Sequence, residues 1–451
     1  MLGRTLLVAT VLFILSADAP NTWAQATTAV GGQLQLNLTR NGSSTTMGEP
    51  EIAVNPRNSS QLFVYWTTFP HPLVISGAGA NIKRPCGGLV SLNSGKSWHI
   101  VQVPTNHVPN TKGCGDAVAV TGPDGTLYAG GIEPTFTATG GSGPFGLTIH
   151  GQDYVTSSSN WGRTWSRPVE TMGSDGQRFV TGHPVDTFDR PWLAVDQSTG
   201  TVYAAGHNLA DHEAYVTAST NKARSFGPIY PVDSPNYPSQ GFGSSNIVAA
   251  HGALGEAYES SQAPGQTCPC LIFETSTDRG ATFTRHIVPT VNGSSSPEPF
   301  LAADPKVNGR FALTILDSTG TENQVYVSDD SGATWQGPTL VGESPPNTRF
   351  KPWITFGTSG NLALAWRTQY ANGSYDVWAA IGHAPSSGDA VFGSPIRVSS
   401  VAAPYPSGYA AGDDFSWIIT DAHYAHIGWG DSRNGPVQVW YGRIPLSTST
   451  G

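Results

Sequence analysis

One octapeptide pattern, Ser-x-Asp/Asn-x-Gly-x-Ser/Thr-Trp/Phe, constrains the fold of this chain more than any other feature. Its clearest copy spans residues 328–335, and the other copies span 91–98, 158–165, 219–226 and 276–283. Asp or Asn accepts backbone N–H bonds within its own loop, Gly adopts a positive φ, and the final aromatic residue begins the next strand. The pattern therefore predicts tight hairpin turns, built around Asn93, Asn160, Asn221, Asp278 and Asp330. The 219–226 copy carries Ala223 where the others have Gly.

The octapeptide resembles the Asp-box, or BNR repeat, of the sialidase-like β-propellers. Its copies begin about 50 to 70 residues apart, which is a propeller-blade period once insertions are allowed for. The resemblance implies an all-β propeller of four-stranded antiparallel blades. Apolar strands that open successive repeats lie at residues 49–56, 116–120, 189–196, 246–250, 298–305, 351–356 and 413–419. These openings predict seven blades, or six if two of them belong to one blade with an insertion.

The last repeat is one strand short, and an N-terminal segment offers the missing strand. Residues 33–38 alternate apolar and polar side chains and precede the first repeat. We expect this segment to complete the last blade, because closing the ring removes exposed sheet edges.

Composition and the N-terminal residues bound the class of protein. The 451 residues include 53 Gly and 34 Pro, and only 12% are charged, which suits short strands joined by turns. A net charge of −9 without a basic stripe argues against nucleic acid as a partner. Residues 1–24 resemble a secretory signal, with Arg4 before an apolar run; the alternative is an uncleaved anchor. We therefore expect residues 25–451 to form one propeller domain, monomeric and secreted or extracytoplasmic.

The four cysteines agree with an oxidising compartment. The pairing we expect is Cys86 with Cys114, which flank the first repeat junction. Cys268 and Cys270 would then bond to each other in a tight ring or stay reduced, and three pairings are formally possible.

Charged residues recur where the repeats open. In four repeats a charged residue precedes Pro, and other acids lie nearby: Glu49, Arg190, Glu298 and Lys351, with Asp116, Asp189 and Asp414. Pro suits the first residue of a strand, where its missing N–H costs nothing. The innermost strands of a propeller begin around one mouth of the central channel, so these side chains should ring that mouth. Such a ring could bind an anionic or polyhydroxylated ligand, or it could be a set of mutual ion pairs.

Other candidates lie at the ends of second strands or on the inner strands. The second strands reach the same face at His207, at Arg367 with Tyr370, and at Asp431 with Arg433. Trp192 and Trp353 would stack on sugar rings or belong to the core.

The resemblance also implies a chemistry. Sialidases grip a sugar carboxylate with three arginines, activate a Tyr with a Glu, and use an Asp as general acid/base. By that analogy the carboxylate would be bound by Arg190, Arg349, Arg367 and Arg433, and the acid would be Asp189 or Asp116. The nucleophile pair would be Tyr409 or Tyr370 with Glu298. The family's Arg-Ile-Pro motif occurs here only at 443–445, after the last repeat, so the complete catalytic set does not carry over.

Three functions are compatible with these features. The first is a glycan-directed glycoside hydrolase, of the exo-sialidase type if the analogy holds. The second is a non-catalytic propeller that binds carbohydrate or protein. The third is a uronic-acid polysaccharide lyase with His207 as base. We expect no cofactor and no metal, because the string His207, Asp211, His212 and Glu213 matches no strong ligand spacing.

Overall fold

The structure is a computed structural model, and it describes residues 26–27, 34–39, 45–70, 86–105, 114–138, 147–173, 178–180, 188–209, 211, 213–239, 246–290, 299–343, 347–404 and 416–446. Seven β-sheets account for these residues, each a blade of a β-propeller. The described residues contain no α-helix, and accordingly no helix long and apolar enough to cross a membrane. The predicted signal sequence, residues 1–24, lies outside the described residues.

The first three blades are four-stranded antiparallel meanders. Blade 1 comprises β3 (Thr45–Val54), β4 (Leu62–Pro70), β5 (Gly87–Ser91) and β6 (His99–Val101). Blade 2 comprises β7 (Gly115–Thr121), β8 (Leu127–Ala138), β9 (Leu147–Ser158) and β10 (Val169–Met172). Blade 3 comprises β11 (Phe188–Val195), β12 (Val202–Asn208), β13 (Ala214–Ser219) and β14 (Tyr230–Pro231).

The next three blades continue the same order from the channel outward. Blade 4 comprises β15 (Ile247–Ala250), β16 (Ala253–Ser260), β17 (Cys270–Ser276) and β18 (Thr284–Ile287). Blade 5 comprises β19 (Phe300–Ala303), β20 (Phe311–Leu316), β21 (Asn323–Ser328) and β22 (Gln336–Val341). Blade 6 comprises β23 (Thr348–Phe356), β24 (Asn361–Gln369) and β25 (Ser374–His383), with an outer edge of three short strands, β26 (Val391–Phe392), β27 (Ile396–Arg397) and β28 (Ala403–Pro404).

Blade 7 joins the two ends of the chain. It comprises β29 (Ser416–Thr420), β30 (Tyr424–Asp431) and β31 (Gln438–Pro445), completed by β2 (Leu34–Asn37) and β1 (Ala26–Thr27). In the antiparallel β2–β31 register, Leu36 lies opposite Tyr441. The predicted all-β propeller, its closure by an N-terminal strand, and the count of seven blades are confirmed; the six-blade alternative is not needed.

The seven inner strands line a central channel. Each contacts the inner strand of the next blade, and β29 contacts β3, so the contacts run around a closed ring. The first residues of these strands lie at one end of the channel, which we call the mouth; the opposite end we call the box face. Residues 192–195 illustrate why inner strands read as unbroken apolar runs, since all four are at most 7% exposed.

The five octapeptide loops connect the third and fourth strands of blades 1 to 5 and share one hydrogen-bond pattern. In blade 5, the Ser328 hydroxyl donates to Asp330 Oδ1 (2.9 Å) and accepts the Gly332 N–H (2.8 Å), and the Thr334 N–H donates to Asp330 Oδ1 (2.8 Å). Equivalent contacts surround the other four residues at this position, Asn93, Asn160, Asn221 and Asp278. The loops thereby satisfy their own backbone donors.

The loop glycines also fix how blades pack on one another. A Cβ on Gly332 would collide with the ring of Phe273 in blade 4, and one on Gly280 would collide with Val216 in blade 3. Each Gly also has a positive φ, 87° and 92° respectively. In the variant loop, Ala223 adopts the same left-handed conformation at φ 58°.

Two disulfides are present. Cys86–Cys114 links blade 1 to the start of blade 2, as predicted. Cys268–Cys270 is also bonded, which settles the alternative that the sequence left open.

Candidate functional site

Four charged residues at the mouth have left-handed backbones at equivalent places. They are Glu49 (φ 54°), Asp116 (φ 41°), Arg190 (φ 50°) and Lys351 (φ 52°). Each lies at a β-bulge, where the register between the inner strand and its neighbour shifts. Non-glycine residues in this region are strained, and a following Pro disfavours helical conformations further. Strain repeated in four blades marks the mouth as a candidate functional site.

The structure thus brings four of the predicted residues to the same mouth. Asp189 accompanies them, because it lies next to Arg190 on β11. Glu298, Asp414 and Tyr409 lie outside the described residues, so their places in the ring stay predictions.

Two carboxyl groups meet at one backbone N–H. The Arg190 N–H lies 3.3 Å from Asp116 Oδ2 and 3.0 Å from Asp189 Oδ1. Burial raises the pKa of Asp116 well above its usual value, and the nearby carboxylates of Asp189 and Glu49 raise it further, against the opposing charge of Arg190. Like charges this close oppose ionisation, which favours the protonated form of the Asp116 carboxyl.

A third carboxyl lies behind this pair. Asp153, on β9 of blade 2, is fully buried, and neither of its carboxyl oxygens has a hydrogen-bond partner among the described residues. Its Oδ2 occupies the space that a side chain at Gly206 would need, opposite the Arg190 bulge. Burial raises the pKa of Asp153, and the nearby Asp189 carboxyl raises it further. Sequence reasoning missed Asp153; its signal was an acid beside the apolar residues 154–155.

His207 lies opposite Asp189 in the β11–β12 register, as its position at a second-strand end suggested. The imidazole is fully buried. A base for a lyase reaction must reach the substrate, and a buried ring does not reach the open mouth.

Aromatic rings close the channel below the charged residues. Trp192 and Trp353 stack with centroids 5.4 Å apart, and Trp353 also contacts Trp417 (4.1 Å) and Phe300 (4.7 Å). Trp192 and Trp353 are only 7% and 6% exposed. Their faces cover each other, so they form the floor of the mouth; the predicted stacking on sugar rings would be limited to their edges. A cavity of about 220 Å³ lies among the inner strands, bordered by Trp192, Trp353 and Trp417.

Three of the four predicted arginines are engaged within the protein. Arg349 is 1% exposed and lies 3.3 Å from Glu343 and 3.5 Å from Glu322. Arg367 and Arg433 have different partners. Arg367 donates to the Ser416 hydroxyl (2.7 Å) under the ring of Tyr375, and Arg433 pairs with Asp431 (2.6 Å) over the ring of Trp440.

Tyr370 is also committed to an internal contact. Its hydroxyl donates to Asp376 Oδ2 (2.9 Å), and burial together with this bond raises its pKa to about 12. Such a phenol resists losing its proton, which makes it a weak nucleophile at neutral pH.

No group of three or more His, Cys, Asp or Glu residues within the described ranges has the geometry to hold a metal ion. In the predicted string, Asp211 and Glu213 both accept from the Tyr215 hydroxyl (2.9 Å each). His212 lies outside the described residues.

Comparisons with known proteins place the chain among propellers. No family model matches it. A xyloglucanase from Paenibacillus sp. is 25% identical over 289 residues, which cover 60% of this chain and 26% of the xyloglucanase, so the chain spans about a quarter of that relative's length. A structure of unknown function from Dyadobacter fermentans aligns with a TM-score of 0.53 and 13% identity, over 92% of this chain and all of that one. The Hadza microbial sialidase Hz136 aligns at 0.47 and 14%, over 85% of this chain and 76% of that one. These structural likenesses show the fold alone.

Proposed function

We propose that the chain is a glycoside hydrolase that acts on neutral glycans at the mouth of the propeller. The observation that carries the proposal is that the Asp116 and Asp189 carboxyl groups meet at the Arg190 N–H, where the pKa of Asp116 is raised. Glycoside hydrolysis needs a carboxylic acid that is still protonated near neutral pH, and burial beside other carboxylates supplies one. Asp116 would protonate the leaving-group oxygen and itself become a carboxylate, which the nearby charge of Arg190 would stabilise.

The reaction also needs a second carboxylate across the sugar ring. Glu49 is the described candidate, since its charge already acts on Asp116 from the next blade. It would activate a water molecule or attack the sugar directly. Glu298, Asp414 and Tyr409 are the further candidates that the sequence places at this mouth.

The charges at the mouth favour a neutral substrate over a sialoside or a uronic acid. An anionic sugar calls for converging guanidinium groups. Arg349, Arg367 and Arg433 are each bound to a different internal partner. Among the described residues, the positive-φ positions and Asp189 comprise three carboxyl groups, Glu49, Asp116 and Asp189, and two cations, Arg190 and Lys351. The sequence similarity to a xyloglucanase points to the same class of substrate.

A non-catalytic glycan-binding propeller is the second candidate, favoured by the engagement of Tyr370 with Asp376. The secreted location of residues 25–451, behind a signal at 1–24, is part of the proposal. The two disulfides support it, because disulfides persist in oxidising compartments.

The test is a release assay with purified protein lacking residues 1–24. The substrates are xyloglucan, arabinan and fluorogenic sialosides, neutral glycosides and uronides. We expect turnover of a neutral substrate, and loss of it in Asp116→Asn, a variant of nearly the same shape. Turnover of sialosides alone would overturn the neutral-glycan assignment. Silence across the panel, in a protein that melts cooperatively, would favour the binding propeller.

A further inference from the structure

A second cavity in the described part of the chain lies away from the mouth. It has a volume of about 740 Å³ and lies between β6 of blade 1 and the octapeptide loop of blade 2. We call it the blade 1–2 cleft, formed chiefly by Leu92, His99, Ile100, Gln102, Trp161 and Trp165. Because Asn55, at the end of β3, also borders it, the cleft lies on the box face, roughly 20 Å along the inner strand from Glu49.

The loop beside this cleft departs from the other four. Its fourth position holds Trp161 in a left-handed conformation, φ 56°. The other loops have polar residues there, all partly or fully exposed: Ser94, Lys222, Arg279 and Ser331. A bulky aromatic residue with positive φ is a true outlier. The Trp161 indole is 7% exposed and donates to the Gly125 carbonyl (3.1 Å), which fixes it as a wall of the cleft.

Apolar side chains are exposed around the same cleft. Leu92 is 46% and Ile100 is 56% exposed, and they are two of only six large hydrophobic side chains exposed within the described ranges. Trp165 is half-buried nearby, and its indole N–H has no acceptor among the described residues. Exposed apolar groups gathered at one concavity indicate a binding surface.

Several of the hydrogen-bonding groups around these apolar side chains are amides, and the exposed Arg163 also borders the cleft. Gln102 and Asn160 are exposed at the cleft, and Asn55 and Gln61 bond to each other (2.6 Å) within it. The acid of the cleft, Asp124, is neutralised by Lys222 at 2.5 Å. Aromatic and aliphatic surface with amide groups suits the apolar faces and hydroxyls of a sugar.

We propose that the blade 1–2 cleft is a second glycan-binding site, which holds a neutral segment of the polysaccharide at a distance from the mouth. The cleft would contribute affinity for the polymer and take no part in bond cleavage. The identity of the polymer rests on the proposed function; the site itself does not.

The test is affinity electrophoresis in gels containing xyloglucan, arabinan or mixed-linkage β-glucan. The variant Leu92→Ser/Ile100→Ser changes only exposed side chains. The matched control, Leu340→Ser/Val391→Ser, changes side chains that are 59% and 51% exposed on blades 5 and 6. We expect the first variant to lower the affinity for one polymer about tenfold. The control should bind as the wild type does, and neither variant should change turnover of a small fluorogenic glycoside. Trp165→Phe, which keeps an aromatic ring in place, should weaken binding less.

The outcomes separate this inference from the proposed function. If Asp116→Asn/Asp189→Asn abolishes hydrolysis but is retarded like the wild type, both stand. If neither the wild type nor any variant hydrolyses a substrate, but the cleft variants alone lose retardation, the cleft proposal stands and the proposed hydrolase activity does not. Unchanged retardation in the cleft variants, or no retardation of the wild type in any gel, would overturn the cleft. Binding of displayed peptides without binding of any polysaccharide would also overturn the proposal, since the ligand of the cleft would then be a polypeptide.

Discussion

The carboxyl groups at the two ends of this propeller have opposite environments. On the box face, five loops repeat one hydrogen-bond pattern, and their carboxylates accept several N–H and O–H bonds; these bonds lower the pKa of Asp278 and Asp330 against their slight burial. At the mouth, carboxyl groups are buried with few donors, and the pKa of Asp116 is raised. Backbone strain at the box face lies on one position of the repeated loops, whereas at the mouth it lies beside bulges of the inner strands. The repeat specifies the fold, and function is to be sought where side chains are left unsatisfied.

The largest expected effect separates activity from stability. Asp189→Asn should lower kcat/KM by about a thousandfold, because Asp116 loses the neighbouring carboxylate that raises its pKa. It should leave Tm unchanged or raise it, since a like charge beside Asp116 is removed. Asp330→Asn is the matched control on the box face, where Asn already serves in three loops, and both quantities should stay within error. Full activity in Asp189→Asn would remove the mouth from consideration as the active site.

A loop glycine should show the reverse behaviour. Gly332→Ala should lower the free energy of unfolding by about 2–4 kcal/mol, from the collision with Phe273 plus the cost of a left-handed alanine. Gly373→Ala isolates the backbone part, because Gly373 has φ 79° and nothing within 4 Å of an added Cβ; about 1 kcal/mol is expected there. Urea unfolding measures both. Equal losses would show that the inter-blade contact contributes nothing.

The two classes of carboxyl should respond oppositely to pH. Within blade 4, burial raises the pKa of Glu274 to about 8 despite Arg285, and burial also raises the pKa of Glu256 on the paired strand. Such groups bind protons more tightly when folded, so their stabilisation is complete below the unfolded pKa and is lost as pH rises through the folded one. Tm should therefore fall by several degrees between pH 5 and 9, and less in Glu256→Gln.

The box-face carboxylates give the opposite limb of this profile. Because their pKa is lowered in the fold, their stabilisation is present above the unfolded pKa of roughly 4 and is lost as pH falls below it. Asp278→Asn should therefore flatten the acid limb only. A Tm that rises from pH 5 to 9 would contradict the assignment of protonated carboxyls in blade 4.

The smallest expected effect is an increase in the free energy of unfolding. Ala223→Gly should stabilise the protein by about 0.5–1 kcal/mol, because Gly adopts the left-handed conformation without a Cβ penalty. The same urea titration reads this out, with Ala218→Gly in the neighbouring strand as a destabilising control. A loss of stability in Ala223→Gly would mean that the methyl packing of this 2%-exposed residue outweighs the strain.

Much of the fold was predictable because its determinants are local. The octapeptide loops, the seven inner strands and the Cys86–Cys114 pair each follow from short-range patterns. The site was less predictable, because alternation within a strand shows which side of a blade a residue faces but not what the next blade presents to it. Arg349 could not be assigned to Glu343 and Glu322, nor Asp153 to the space at Gly206, without the packing of adjacent blades.

The closing blade has a consequence for how the protein is made. Leu36 lies opposite Tyr441, so the ring cannot be completed until almost the whole chain has been synthesised. Until then β2 lacks its partner strand β31 and has an open edge, a template for pairing with the wrong strand. Blades 1 to 6 can form as they emerge from the ribosome, but the last step joins distant ends and should be slow. The nascent chain would spend its synthesis as an open arc, and a chaperone that shields that edge would raise the yield of closed rings.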